Sequence, residues 1–206
     1  MLRIGLTGGI AAGKSVASRC FSELGARVVD HDELAKKAVE RGSAALADIA
    51  REFGDRLVTR SGLDRAALAE VVFSDDDARR RLNAIVHPYV FALSVVADRR
   101  AREEGVAVIV HDVPLLVEAA PLQEFDLVVT VGAPVELRIQ RLVETRGFTV
   151  EQAEARIAAQ ATDEQRAAVA DAVLDGSGPV ERLCGEVDRF WNEHVPLSPP
   201  SRSLGE

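Results

Sequence analysis

The chain has 206 residues, enough for one α/β domain with inserted lobes or for two small domains, and its 47% of apolar residues can bury a substantial core. Its net charge of -8 argues against general binding to nucleic acid or to an anionic membrane, so a phosphate ligand must be held by local positive groups. No apolar run is long enough to cross a bilayer, no secretory leader pattern opens the chain, and Cys20 and Cys184 form no Cys-x-x-Cys pair, so neither a disulfide nor a zinc framework is expected and a reducing cytoplasm fits.

In chain order, Leu2 to Thr7 is a short apolar run ending at glycines and reads as a buried strand. A helix follows from Gly13 to about Leu24, and Val28 to Asp30 reads as a second strand closed by Asp-His-Asp. The stretch from Glu33 to about Arg102 reads as mostly helical, with breaks near Arg41-Gly42, Arg60-Ser61-Gly62 and His87-Pro88. Val106 to Asp112 and Asp126 to Gly132 are valine-rich and nearly apolar throughout, as strands of a covered parallel sheet are. Pro134 opens a helix to about Arg146, and Thr149-x-x-Gln152 has the form of a capping box for the next. Ala172 to Asp175 is a fifth strand, and Gly176-Ser177-Gly178 turns into a last helix ending near His194. The tail from Pro196, rich in proline and serine, is expected to fray.

Alternating strands and helices imply an α/β fold with a parallel five-stranded sheet flanked by helices. The connection between the second and third strands is too long for a simple crossover and predicts a helical lobe at about 33–102. The arginine-rich helices between the fourth and fifth strands predict a small lid at about 138–166. The core is then 1–32, 103–137 and 167–195, with a flexible tail at 196–206.

Gly8-Gly9-Ile10-Ala11-Ala12-Gly13-Lys14-Ser15 fits Gly-x4-Gly-Lys-Ser at every fixed position, with a predicted strand before it and a helix after it. Such a loop curls so that backbone N–H groups point at phosphate oxygens, and the helix N-terminus adds partial positive charge. Lys14 can bridge the β- and γ-phosphates and Ser15 can ligate Mg²⁺. Gly9, Ile10, Ala11, Ala12, Gly13, Lys14, Ser15 and Val16 are thus the candidate ATP-binding residues. A chance glycine-rich turn is a poor alternative, because eight residues fall in register between strand and helix. The Asn-Lys-x-Asp signature of guanine-specific GTPases does not occur, and a short chain with a lobe and a lid favours a kinase for a small acceptor.

Ligands of open α/β sheets bind beyond the carboxyl ends of the strands. Asp30 and Asp32 fall at the end of the second strand and Asp112 at the end of the third. A kinase needs a carboxylate to orient the acceptor hydroxyl and take its proton, and carboxylates to hold magnesium. Asp32 is the favoured base, Asp112 a candidate substrate and metal ligand with Ser15. The plainer readings are turn chemistry for Asp30 and a helix N-cap for Asp32. Arg138, Arg141, Arg146, Arg156 and Arg166 could match the charge on a transferring phosphoryl group, although neighbouring acidic residues make most of them look like a solvated helix face. Arg141 and Arg146 are the catalytic candidates.

With these residues in view, the chain resembles the dephospho-CoA kinase family. GLTGGIAAGKS resembles the family's opening, VVDHDELA its Asp-x-Asp segment, LNAIVHPYV its Val-His-Pro segment and VHDVPLLVEA its Asp-x-Pro-Leu-Leu-x-Glu segment. RIAAQATDEQR and ADAVLDGSG resemble its lid and final strand-turn, and the likeness runs in order from about Met1 to Trp191. The resemblance implies ATP with Mg²⁺, the ribose 3′-hydroxyl of dephospho-CoA as acceptor, and a P-loop NTPase-like core with a CoA-binding helical lobe and a lid. It also implies Lys14 as phosphate clamp, Asp32 as base, and His87, Asp112 and Leu115 as substrate contacts. No nucleic acid, membrane or obligatory protein partner is implied.

Two departures stand out. Ala11-Ala12 replaces Gly-Ser, and if residue 11 needs positive φ the alanine strains it by roughly 1 kcal/mol. Gly176 replaces an asparagine and is counted with the nucleotide site by position only. Two other readings are compatible with the loop: a P-loop kinase for another small acceptor, and a nucleotide-sensing module that binds ATP without turnover. The long lobe with Val-His-Pro speaks against the first; Lys14, Ser15, Asp32 and the arginines speak against the second.

Overall fold

The first strand, β1 (Leu2–Gly8), is buried from Ile4 onward, as its apolar run requires. The computed structural model describes residues 1–59, 62–73, 75–119 and 122–195, so the proline- and serine-rich tail lies outside the described residues. After β1 come α1 (Lys14–Glu23), β2 (Arg27–Asp30), α2 (His31–Ala38), α3 (Ala44–Phe53), β3 (Val58–Thr59), β4 (Gly62–Leu63), α4 (Arg65–Phe73) and α5 (Asp76–Glu103). Then follow β5 (Val108–Asp112), α6 (Leu116–Ala119), β6 (Leu127–Gly132), α7 (Val135–Arg146), α8 (Val150–Ala158), α9 (Asp163–Val169), β7 (Ala172–Asp175) and α10 (Val180–His194).

The main sheet has five strands in the order β2-β5-β1-β6-β7. Its pairings are parallel, and their register sets one edge: Leu6 pairs with Asp112, Gly8 with Val131, and Gly132 with Asp175. The turns that follow β1, β5, β6 and β7 therefore open at the same end of the sheet, where open α/β sheets bind ligands. Among the described residues, 1–28 and 105–195 form one compact unit, and 29–104 form a second.

In the first unit, strand alternation sorts the core into two layers. Val129 and Val131 pack with Ile4, Leu6, Val108 and Val110 beneath α1 and α10, whereas Val128 packs with Val113 and Leu116. Phe21 of α1 meets Phe190 of α10 edge to face, with ring centroids 5.9 Å apart. This helix pairing corrects the expectation for the cysteines. Cys20 and Cys184 are joined as a disulfide, their Cα atoms 5.6 Å apart, though 164 residues separate them in sequence. The expectation rested on local spacing, which carries no information about two helices packed side by side on one sheet face.

In the second unit, Val39, Ala45, Ile49, Leu57 and Leu68 form a small core of their own. Within it, α2, α3 and α4 all pack on α5. One local expectation fails here. His87-Pro88 does not break the chain: α5 runs unbroken through Pro88. An internal proline removes one helical hydrogen bond, typically about 3 kcal/mol, and the packing of three helices along α5 offsets that cost. The stretch is mostly helical, as expected, and the short strands β3 and β4 pair antiparallel within it, with Thr59 opposite Gly62. Arg60 and Ser61, part of an expected break, lie outside the described residues. A further break at Gly54, with φ of 99°, ends α3.

Between β6 and β7, the Thr149 capping box forms as expected, and a second, unforeseen one at Thr162 with Gln165 opens α9. Among the described residues no helix is long and apolar enough to cross a membrane.

Candidate functional site

The loop after β1 closes on itself before α1 begins. The Ala12 N–H donates to the Gly9 carbonyl at 3.0 Å, and the N–H groups of Val16 and Ala17 donate to the Gly13 carbonyl. Gly13 adopts φ of 114°, a conformation that favours glycine. Ala11 has φ of 61°, so the alanine does sit in the left-handed region that its sequence position raised as a possibility. Ala12 is fully buried in the core beneath α1, which gives an apolar residue a reason to stand there.

A cavity of about 400 Å³ opens beside this loop. Ala11, Gly13, Ser15 and Val16 form one side, Arg141, Thr145 and Arg146 of α7 a second, and Gly176, Gly178, Val180 and Leu183 the rest. It thus collects seven of the residues picked from sequence: Ala11, Gly13, Ser15, Val16, Arg141, Arg146 and Gly176. Its mixture of apolar side chains, a helix N-terminus and two arginines suits an organic phosphate ester.

Gly176 has a steric explanation. A Cβ on it would overlap the Ala12 carbonyl oxygen, so the turn after β7 touches the phosphate loop backbone to backbone. Arg141 ties the same two segments together: Nη1 donates to the Ala11 carbonyl at 3.1 Å and Nη2 to the Gly176 carbonyl at 2.8 Å. Arg141 therefore builds a wall of the cavity with two of its donors, while Arg146 is exposed at its rim. The next residue back, Asp175, accepts from Ser177, and these hydrogen bonds, with Arg182 nearby, hold its carboxyl below the usual carboxylate range.

Lys14 pairs with Asp112, the last residue of β5, and the carboxylate is 8% exposed. The ion pair fixes the ammonium next to the phosphate loop, and Leu115 lies exposed in the turn beyond β5. Asp32 and His87 belong to the second unit. There Asp30, not Asp32, is the N-cap of α2: its Oδ1 accepts from the N–H groups of Asp32 and Glu33 at 2.8 and 3.3 Å. The capping role is thus filled by Asp30, and Asp32 stands exposed in the first turn. His87 is exposed on α5. Behind it, Pro88 and Tyr89 line a cavity of about 440 Å³ with Asp48, Arg51, Glu52, Ala84 and Ile85. The Tyr89 hydroxyl donates to Asp48 at 2.6 Å, which lowers the carboxyl's pKa and raises the phenol's.

Sequence reasoning misplaced two arginines. Arg138 and Arg166, whose acidic neighbours in sequence point to a solvated helix face, are instead 2% and 1% exposed. Both donate to the same oxygen of Asp163, at 3.0 and 3.1 Å, and a Cβ on Gly9 would overlap Arg138 Nη1. Gln160, between α8 and α9, accepts from the Ile10 N–H at 2.8 Å, and Glu118 of the Pro-Leu-Leu-x-Glu segment accepts from the Ala161 N–H at 2.7 Å. Arg156, by contrast, stacks on Phe148 at 4.5 Å and fits the surface reading. Arg138 lies one helical turn before Arg141, but only the fold reveals Gly9 beside it.

Comparison with known proteins agrees with the resemblance. Residues 2–181 match the family described as dephospho-CoA kinase. The dephospho-CoA kinase of Mycobacterium tuberculosis H37Rv is 52% identical over 200 residues, which cover 95% of this chain and 48% of that protein. That of Thermobifida fusca is 46% identical over 194 residues, covering 94% of this chain and 96% of that protein. The chain thus spans about half the length of the mycobacterial relative and nearly all of the other. Among solved structures, TT1252 from Thermus thermophilus superposes with a TM-score of 0.78 at 30% identity, over 95% of this chain and 98% of that one.

Proposed function

This chain belongs to the dephospho-CoA kinase family, and we propose that it transfers the γ-phosphoryl group of ATP to the ribose 3′-hydroxyl of dephospho-CoA, giving CoA and ADP, the last step of CoA synthesis. The observation that carries this reading is the cavity at the phosphate loop, with Lys14 fixed beside it by Asp112 and with Gly13, Ser15 and Gly176 on its walls.

In this reading the loop amides and Lys14 neutralise the charge that grows on the phosphate oxygens during transfer. Arg141 keeps the loop and the turn after β7 in one geometry, and Arg146 offers a guanidinium at the rim. Ser15 and Asp112 supply hard oxygen donors of the kind Mg²⁺ takes when most of its remaining ligands are phosphate oxygens and water. They are the residues that would hold the ion, whose chemistry is charge neutralisation. Asp32 is the proposed base: its carboxylate is exposed, and Asp30 already caps the helix. Residues 33–102, with His87, are the proposed site for the CoA moiety, 138–166 the proposed lid, and Leu115 a proposed contact with the acceptor. No nucleic acid or protein partner enters this mechanism.

The cytoplasm is the proposed compartment, since both substrates are cytoplasmic metabolites in this reading. The Cys20–Cys184 bond is the feature that opposes it, and thiol titration of protein isolated without reductant tests which form is present.

The deciding experiment is ADP release with dephospho-CoA set against adenosine, AMP and pantetheine phosphates. Turnover is expected with dephospho-CoA alone. Faster turnover with another acceptor would reassign the substrate, and ATP binding without ADP release for every acceptor would reject the enzyme reading.

A further inference from the structure

Arg138 and Arg166 make an arrangement that packing alone does not explain. Two guanidinium groups, each almost wholly buried, share one carboxylate oxygen of Asp163, whose side chain is 40% exposed. A second acid, Glu118, makes a long ion pair with Arg166, 3.8 Å from Nη2 and too far for a hydrogen bond. Nε of Arg138, and Nε and Nη2 of Arg166, are buried and have no hydrogen-bond partner among the described residues. Buried like charges with unmet donors are unfavourable unless an anion joins them.

The position of the pair says which anion. The cavity beside Ala11, Gly13, Ser15 and Val16 has the apolar walls Val180 and Leu183, suited to a base and sugar at the helix end of the loop. Arg138 lies against Gly9, at the strand end of the same loop. A polyphosphate running along the loop from that cavity would reach Gly9 with its terminal group.

We infer that Arg138 and Arg166 form a buried cationic wall for the terminal phosphoryl group of the bound nucleoside triphosphate, with Asp163 as the internal carboxylate that holds the two guanidinium groups together and competes with that group. The inference rests on the kinase reading above, and it adds to Lys14 two phosphate-binding residues outside the sequence motif. Gly9 must stay a glycine for this wall to reach the loop.

The test is calorimetric titration with Mg²⁺ and either ADP or the non-hydrolysable β,γ-imido analogue of ATP. Arg138→Lys and Arg166→Lys keep the charge and most of the stem but lose the fork, so they preserve the fold where a truncation to Met could collapse it. Each is expected to weaken the triphosphate analogue by on the order of tenfold or more while ADP stays within about twofold. Asp163→Asn removes the competing anion and is expected to tighten the analogue without changing ADP. A merely structural cluster would lower the melting temperature in all three variants and leave the ratio of the two affinities alone, which would overturn the inference. Wild-type protein that binds neither nucleotide would remove the kinase reading and this inference with it; normal wild-type binding with unchanged ratios would remove this inference only.

Discussion

Two strand-to-helix turns, the one after β1 and the one after β2, use charged residues in opposite ways. After β1 the backbone shapes the turn: Gly13 and Ala11 take positive φ, and the first helical side chain, Lys14, is fixed by an ion pair with Asp112. After β2 a side chain shapes the turn: Asp30 caps α2 with its carboxylate and leaves Asp32 exposed. A functional charge can thus be held in place by a partner, or kept available because a neighbour has taken the structural task. Sequence alone does not say which of two adjacent carboxylates is which.

The sharpest way to break this comparison is Lys14→Ala. The expected loss of phosphoryl transfer is roughly 10³-fold or more, with the circular dichroism spectrum unchanged. Lys36 and Lys37, the other lysines, belong to the second unit's α2, where Lys36 is engaged with Glu33. Retained turnover would take Lys14 out of the mechanism.

Asp32→Asn is next. Because Asp30 caps the helix, the melting temperature should hold while kcat falls by about 10²- to 10⁴-fold and ATP affinity stays unchanged. Single-turnover kinetics with dephospho-CoA separates binding from chemistry. An unaltered chemical step would return the role of base to Asp30 or Asp112.

Gly176→Ala probes the backbone contact on which the first turn depends. The added methyl overlaps the Ala12 carbonyl, so a loss of about 1–3 kcal/mol in stability is expected together with weaker nucleotide binding. Denaturant unfolding and calorimetry read the two effects. Stability equal to wild type would mean that the turn moves aside freely.

Asp30→Ala is the counterpart of Asp32→Asn. Loss of the cap should cost about 1 kcal/mol in thermal unfolding while turnover stays within a few-fold. If instead the chemistry collapses and stability does not change, the two aspartates have been assigned the wrong way round.

The smallest effect is expected for Ala11→Gly. Glycine relieves roughly 1 kcal/mol of left-handed strain but regains freedom in the unfolded chain, so the net change should be under about 0.5 kcal/mol. A large stabilisation measured by chemical denaturation would show that the alanine strains the phosphate loop more than its neighbours can absorb.

The sequence by itself determined whatever depends on neighbours along the chain. The strand–glycine loop–helix unit at Gly8 to Ser15, the valine-rich parallel strands and the capping box at Thr149 each follow from local backbone preference and hydrophobic period, and all of them form. What only the tertiary structure decided is what depends on residues far apart in sequence. Pro88 sits inside an unbroken α5 because three helices pack along it. Cys20 meets Cys184 because α1 and α10 lie together on the sheet. Arg138 and Arg166 are buried because the segment between β6 and β7 folds back on Gly9 and Ile10. Composition and spacing give a residue's preference for water, but the cost of burying a charge is set by the partners that the fold brings to it.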